Sequence, residues 1–233
     1  MRWMSAIGVT GMLLAMIACN PPIETKENKT LSQQLRISVE NLKQIGMAIQ
    51  YYGSAHEDEV PGNIVSKDGK PLLSWRVRIL PFLNEKPLYG QFKLDEPWDS
   101  EANKSLIDKM PKVYAPDGLQ AKIGETFYQT FTGPKTLFNP MPRYKFGTFP
   151  DGMSSTAMIV EASAPVVWTQ PADLLVDEKE LLSKLGGLFE GGCHIGLSDG
   201  SVMRLKMGAD ETELRHLINP NDGNVIEYKK LHN

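Results

Sequence analysis

The pattern of apolar and polar positions is most regular between residues 31 and 52. Apolar side chains recur there at steps of three, four or seven residues, and Lys, Glu, Gln and Asn fill most of the positions between them. The apolar positions are Leu31, Leu35, Val39, Leu42, Ile45, Ile49 and Tyr52. Because this spacing places the apolar side chains on one face, it predicts an amphipathic helix.

The ends and the packing of this helix are also predicted. Thr30 or Ser32 is a candidate N-cap, and Gly53 is a candidate for the residue that ends the helix. Gly46 lies in its interior at a cost of about 1 kcal/mol relative to alanine, which indicates a close packing partner at that point. The side chains expected to be buried against a sheet are Leu35, Leu42, Ile45 and Ile49.

Three shorter segments also have helical patterns. Residues 74–80 precede a proline and are followed by further apolar positions, so their packing residues are predicted to be Trp75, Ile79, Phe82 and Leu83. Residues 97–111 resemble a second short helix, with Ser100 as N-cap and Pro111 as its stop. Residues 210–218 predict a closing helix that Asp210 caps.

The pattern changes to short β-rich runs from residue 125 onward. Gly, Pro and Asp-Gly pairs separate the runs TFYQTFTG, STAMIVEAS, PVVWT and HIGLSDGSVMRLK. Residues 193–205 alternate apolar and polar positions on both sides of Asp199-Gly200, which predicts a two-stranded hairpin with its turn at that pair. The order of elements predicts an α+β fold, in which a leading helix and small helices precede an antiparallel sheet.

The N-terminus has the outline of a secretory signal. Arg2 precedes an apolar run from Trp3 to Ala18, which is shorter than the roughly 20 residues that a spanning helix needs. The run ends in Met-Ile-Ala-Cys, which resembles the bacterial lipobox and predicts acylation of Cys19. We therefore predict a signal peptide over 1–18, a lipidated tether over 19–30 and one domain over 31–233. The alternative is an uncleaved N-terminal anchor helix.

Composition narrows the chemistry. The 25 basic and 28 acidic residues are spread along the chain and give a net charge of -3, with no basic run that indicates nucleic-acid binding. The four histidines have no metal-ligand spacing, and the sequence lacks phosphate-loop and hydrolase motifs. Of the two cysteines, Cys193 is interpreted as a small buried side chain. No cofactor and no metal site are predicted.

Few residues are candidates for a site. Glu161 lies in an apolar β-run, where an acid either is satisfied structurally or points into a pocket. Trp168 is either core or a platform for a ring or a sugar. We take these two as tentative ligand-binding residues. Three carboxylates around Trp98, at positions 95, 96 and 99, have the oxygen chemistry for Ca²⁺, but helix capping is the simpler interpretation.

Several longer strings resemble a family of unknown function that is abundant in planctomycete bacteria and is also filed under a solute-binding-protein name. The strings run in order between about residues 38 and 228: NLKQIGMAIQYY, residues 74–114, DGMSSTAMIVEA, VVWTQPADL and GLSDGSV. The resemblance implies a pilin-like fold, with an N-terminal helix packed on an antiparallel sheet.

The chain departs from that family's pattern in three places. The lipobox at Cys19 stands where typical members have a prepilin cleavage site. Phe189 stands where they have a histidine ten residues before Asp-Gly, and Ala-Pro-Asp at 115–117 replaces Cys-Pro-Ser. The departures indicate a diverged, lipoprotein-type member.

These observations favour an exported, non-enzymatic protein. We expect it to be held by lipid to the cell envelope, facing the periplasm or on the outer membrane, because no Asp follows Cys19. Its partners would be the membrane and envelope proteins. The alternative is a periplasmic or surface protein that binds a small solute or glycan in a pocket near Glu161 and Trp168.

Overall fold

The structure is a computed structural model, and it describes residues 30–115, 121–139, 144–176 and 180–232. The predicted signal peptide and most of the predicted tether, with Cys19, lie outside these residues. Within the described ranges no helix is long and apolar enough to cross a membrane.

Helix α1 spans Leu31–Ala55 and begins in a capping box between Thr30 and Gln33. It runs past Gly53, the predicted end, because that glycine is needed for packing rather than termination: a Cβ there would lie 2.6 Å from the ring of Phe146. Gly46 also has the predicted close partner, since a Cβ there would lie 3.3 Å from the Met158 methyl carbon.

Of the four α1 side chains that were expected to be buried against a sheet, three are buried and one is not. Leu42, Ile45 and Ile49 are almost fully enclosed. Leu35 is only half-buried, because the buried stretch of the helix begins at Ser38 and the first two turns lie beyond it.

The remaining helical segments are short. The α-helices are α2 Trp75–Arg78, α3 Lys86–Tyr89, α4 Glu101–Lys104, α5 Glu211–Ile218 and α6 Tyr228–Leu231. Single 3₁₀ turns lie at Leu80–Leu83, Ile107–Lys109, Lys112–Tyr114, Met153–Ser155 and Leu181–Lys184. The predicted caps Ser100 and Asp210 are confirmed, since they accept hydrogen bonds from the first turns of α4 and α5, and Ser74 caps α2 in the same way.

The described residues contain eight strands. They are β1 Ile64–Val65, β2 Pro71–Leu73, β3 Glu125–Gln129, β4 Phe131–Thr132, β5 Ala157–Val167, β6 Leu174–Leu175, β7 Gly192–Leu197 and β8 Val202–Lys206. The central sheet is antiparallel in the order β3-β5-β7-β8, β1 pairs with β2, and β4 pairs in parallel with β6. The predicted hairpin is confirmed as β7 and β8, and Gly200 takes the positive φ of 88° that its turn requires.

Helices cover both faces of the central sheet. Helix α1 packs on one face, where Leu42 approaches Gly196. The opposite face is covered by a second apolar cluster to which α5 and α6 contribute the fully buried Leu214, Leu217 and Leu231. The α+β class, with an N-terminal helix on an antiparallel sheet and small helices, is confirmed, and the finer pilin-like assignment stays a prediction.

Candidate functional site

Glu161 lies on the face of β5 that α1 covers, and its side chain is fully enclosed. Its carboxylate accepts hydrogen bonds from the Ser38 hydroxyl of α1 and from the backbone N–H of His194 at 2.7 Å. The His194 ring Nδ1 lies 3.1 Å from both carboxylate oxygens, and the Ser38 hydroxyl also lies 2.8 Å from that of Tyr128. Glu161 therefore ties α1 to β5 and β7, and Ser38 extends the contact to β3 through Tyr128.

Trp168 lies in the core, so it offers no platform to a ligand. Its ring stacks on Tyr114 with centroids 5.8 Å apart and meets the edge of Phe92 at 5.7 Å. Its indole N–H donates to the Ile107 carbonyl at 2.9 Å, and the side chain has no exposed surface. The Trp168 ring is covered because it follows the end of β5, where the 3₁₀ turns at Ile107–Lys109 and Lys112–Tyr114 pack over it.

The neighbours of His194 also have structural roles. The ring of Phe189 lies 6.1 Å from the His194 ring in an edge arrangement. Burial, with a smaller contribution from the Glu161 carboxylate, raises the pKa of the Cys193 thiol to about 12. Because a thiol must ionise to attack, this raised pKa disfavours nucleophilic attack by Cys193 at neutral pH.

A different pair of charges lies next to a pocket. Arg76 of α2 and Asp173, which immediately precedes β6, form an ion pair at 2.7 Å, and their side chains are 0% and 1% exposed. The arginine Nε and Nη2 donate to the Tyr128 carbonyl at 3.0 and 2.9 Å, and Nη1 donates to the Ser74 hydroxyl at 2.8 Å. The guanidinium is thereby fixed in orientation by three different acceptor groups.

The two oxygens of Asp173 differ sharply. Oδ1 accepts from Arg76 Nη2, from the indole N–H of Trp75 at 3.2 Å and from the backbone N–H of Thr130 at 2.9 Å. Oδ2 is buried and has no hydrogen-bond partner among the described residues. The hydroxyls of Thr130 and Thr169 are also buried without hydrogen-bond partners among the described residues. Each such group costs about 1–3 kcal/mol when it is left unsatisfied.

Local structure places these groups together. Ser74 caps α2 and receives one of the arginine's hydrogen bonds, so the helix start and the guanidinium share one hydroxyl. The parallel pairing of β4 with β6 sets Leu174 opposite Phe131, which brings Asp173 beside Thr130. The site is thus assembled from the entry of α2 and from the junctions before β4 and β6.

Asp173 also lines a pocket of about 390 Å³. This volume is near the lower end of the range of about 300–1,000 Å³ that is usual for small-molecule sites. The wall is mostly apolar, and its apolar side chains are Val60, Pro61, Val65, Pro71, Leu137, Phe138, Tyr144, Pro171 and Ala172. Its polar side chains are Asn63, Thr132, Asn139 and Asp173. Asp173 is the one charged residue among the described lining residues.

Sequence reasoning missed this pair. The signal was present in an arginine within the apolar run LLSWRVRIL and in the aspartate of PADL, two segments that belong to the strings carrying the family resemblance. Neither Glu161 nor Trp168 lines the Asp173 pocket, and the structure does not bring those two residues into one site. No cluster of three or more potential His, Cys, Asp or Glu metal ligands occurs in the described part of the chain.

Comparison with known proteins gives a match to a family model. Residues 38–117, about a third of the chain, match the model of a family described as a protein of unknown function (DUF1559). The match supports the resemblance stated above and includes Arg76 but not Asp173. No curated protein and no solved structure matches the chain significantly.

Proposed function

We propose that the protein is an exported, lipid-anchored, non-enzymatic protein of the cell envelope that binds a small solute in the Asp173 pocket. The observation that carries this proposal is a mostly apolar pocket of about 390 Å³ in which Asp173 is the one charged residue among the described lining residues. Pockets of this kind use a few fixed polar groups for specificity and apolar walls for affinity.

A non-enzymatic role is supported by the way the reactive side chains are used. Ser38, Glu161 and His194 contain the residue types of a hydrolytic triad, but the serine donates to the carboxylate instead of to the histidine. A triad requires the base to accept the proton of the nucleophile. Glu161 has no exposed surface, so the three side chains form a clamp between α1 and the sheet.

Lipid anchoring is supported by the Met16-Ile17-Ala18-Cys19 sequence. Between Cys19 and the N-cap Thr30 lie residues 20–29, which could reach at most about 35 Å if fully extended. That length suffices to hold the domain close to a membrane surface.

Anchoring is tested by labelling expressing cells with a palmitate analogue. The wild-type chain is expected to carry the label, and Cys19→Ala is expected to lose it because no other residue of the lipobox has a thiol. Cys193→Ala is the matched control and should keep the label. A label that persists in Cys19→Ala, or a wild-type chain that is never labelled, would contradict the anchor.

Solute binding is tested by melting the purified full-length chain in detergent with a panel of small solutes. A ligand present at 100 times its Kd stabilises the native state by about 2.7 kcal/mol. For a chain of this size the melting temperature should rise by about 5–10 °C. Gly62→Leu should abolish the shift, because Gly62 lines the pocket and a Cβ there meets no atom within 4 Å.

The matched control is Gly90→Leu, which adds the same side chain at an exposed position outside the pocket. A Cβ at Gly90 makes only ordinary contacts, the nearest at 3.6 Å from the Lys86 carbonyl oxygen. The shift should survive in this variant. If no solute class produces a shift in the wild-type chain, the solute-binding proposal is wrong.

A further inference from the structure

A groove of about 760 Å³ lies between the N-terminal half of α1 and the β7–β8 edge of the central sheet. Arg36 and Lys43 of α1 line it. Arg204 of β8 also lines it and pairs with His194 in the β7–β8 ladder. A second cavity, of about 340 Å³, shares Arg204 with the first and adds Lys206 to the lining. We refer to the two cavities together as the α1–β8 groove.

The α1–β8 groove is basic, although the chain as a whole is slightly acidic. Its described lining includes four Arg or Lys side chains and a single carboxylate, that of Glu40, whereas the whole sequence has a net charge of -3. Among the described residues, none of the four cations forms an ion pair with a carboxylate. Arg204 instead donates to the backbone carbonyl of Glu190 at 2.5 Å, which leaves its charge unbalanced. The groove therefore suits an anionic partner.

Apolar side chains lie among these charges. Leu35, Ile37 and Val39 of α1 line the groove and are only half-buried, and Met203 does the same on β8. Leu31, one turn before Leu35, is 49% exposed. A hydrophilic polyanion would leave this apolar surface in water. A phospholipid uses both kinds of surface, because its charged head group adjoins an apolar region.

The groove also lies next to the proposed tether. Its lining begins at Gln33, three residues after the N-cap Thr30, and residues 20–29 connect that cap to Cys19. A lipid on Cys19 would keep this end of α1 within about 35 Å of the membrane surface, and any less extended tether brings it closer. Attraction between exposed charges decays over about 10 Å in 0.1 M salt, so an electrostatic contact with head groups needs this proximity.

We infer that the α1–β8 groove binds the head groups of anionic phospholipids in the membrane that carries the anchor. Phosphate oxygens lie at the guanidinium groups of Arg36 and Arg204. The adjoining apolar part of the lipid packs on Leu35 and Val39. Each Lys or Arg near an anionic surface strengthens such binding about fivefold. The inference concerns a site separate from the Asp173 pocket, and it rests on the proposed function only for the anchor that brings the membrane near.

The test is photo-cross-linking of the full-length chain with p-benzoylphenylalanine in place of Gln33, which lines the groove. The chain is added to vesicles made of equal parts of phosphatidylglycerol, which is anionic, and phosphatidylcholine, which is neutral, and mass spectrometry identifies the lipid adducts. Phosphatidylglycerol adducts are expected to exceed phosphatidylcholine adducts at least about fivefold. A matched probe at Ser54, which is exposed and roughly 30 Å further along α1, should give few adducts with either lipid.

Two double variants assign the selectivity to the groove. Arg36→Gln combined with Arg204→Gln should lower the adduct ratio to near one, because it removes two of the four cations. Lys67→Gln combined with Lys70→Gln removes two exposed cations between β1 and β2, outside the groove, and should leave the ratio unchanged. Salt at about 1 M, where the Debye length is about 3 Å, should act like the first variant. Circular dichroism confirms that each variant is folded.

Three results would overturn the inference: equal cross-linking of the two lipids at Gln33, no lipid cross-linking there, or an excess of phosphatidylglycerol adducts that persists in the Arg36→Gln, Arg204→Gln variant. None of them decides the proposed function. Flotation of the chain with vesicles of phosphatidylcholine alone reports the anchor, and the melting experiment reports solute binding in the Asp173 pocket.

Discussion

Replacing Arg76 with methionine is expected to lower the free energy of unfolding by about 3–5 kcal/mol, because it leaves the carboxylate of Asp173 buried without its counter-charge. The variant also removes donors from the Tyr128 carbonyl and from the Ser74 hydroxyl that caps α2. Chemical denaturation measured by tryptophan fluorescence gives the value. In a melting experiment the loss should be about 6–20 °C.

Two controls define what this loss means. Adding Asp173→Leu to Arg76→Met should recover much of the stability, since a buried ion pair replaced by apolar side chains is often neutral or stabilising. Glu57→Gln breaks the exposed pair with Lys145, whose side chains are 89% and 46% exposed, and should change stability very little. An Arg76→Met variant as stable as Glu57→Gln would contradict the burial of the pair.

Gly192→Ala is the other substitution with a large expected effect. Gly192 begins β7 with a φ of 140°, and a Cβ there would overlap the carbonyl oxygen of Leu205 on β8. The strained backbone conformation and the overlap each cost about 1–3 kcal/mol, so the total loss should be about 2–6 kcal/mol. Since neither strand can retreat without breaking the ladder, the unfolding midpoint in urea should fall.

The matched control is Gly208→Ala, just after β8. Gly208 also has a positive φ, 71°, but a Cβ there meets no atom within 4 Å. Only the left-handed conformation is penalised, by about 1–2 kcal/mol. Equal losses in the two variants would show that the overlap with Leu205 does not determine the effect.

The elements that sequence predicts well are those whose cause is local. The α1 pattern and the cap at Thr30 lie within one segment, and so does the Asp199-Gly200 turn, so each could be recognised from neighbouring residues. The end of α1 was placed wrongly because the reason for Gly53 is Phe146, which is distant in sequence. The spacing of Leu35 predicts burial, but this residue is only half-buried. The spacing shows which face of the helix is apolar, and it does not show which turns of the helix contact the rest of the domain.

The candidate site was not predictable for the same reason. Arg76 and Asp173 are far apart in sequence, and the third contributor, Thr130, comes from between them. Arg76 and Asp173 stand out only because both side chains are buried. The sequence near each residue does not indicate that a charged side chain will be buried. Trp168 shows the converse error, since an aromatic residue typical of binding sites is also typical of cores.

The central claim is that solutes bind at Asp173, and the most direct measurement is the ¹H–¹⁵N spectrum of the tryptophan indoles during a titration with a solute that raises the melting temperature. The indole N–H of Trp75 donates to Asp173 Oδ1 at 3.2 Å, whereas that of Trp168 donates to Ile107 in the core. The account predicts that the Trp75 resonance shifts with ligand and saturates, while the Trp168 resonance stays in place. A saturating titration that leaves the Trp75 resonance unmoved, or the absence of any ligand-dependent change, would contradict it.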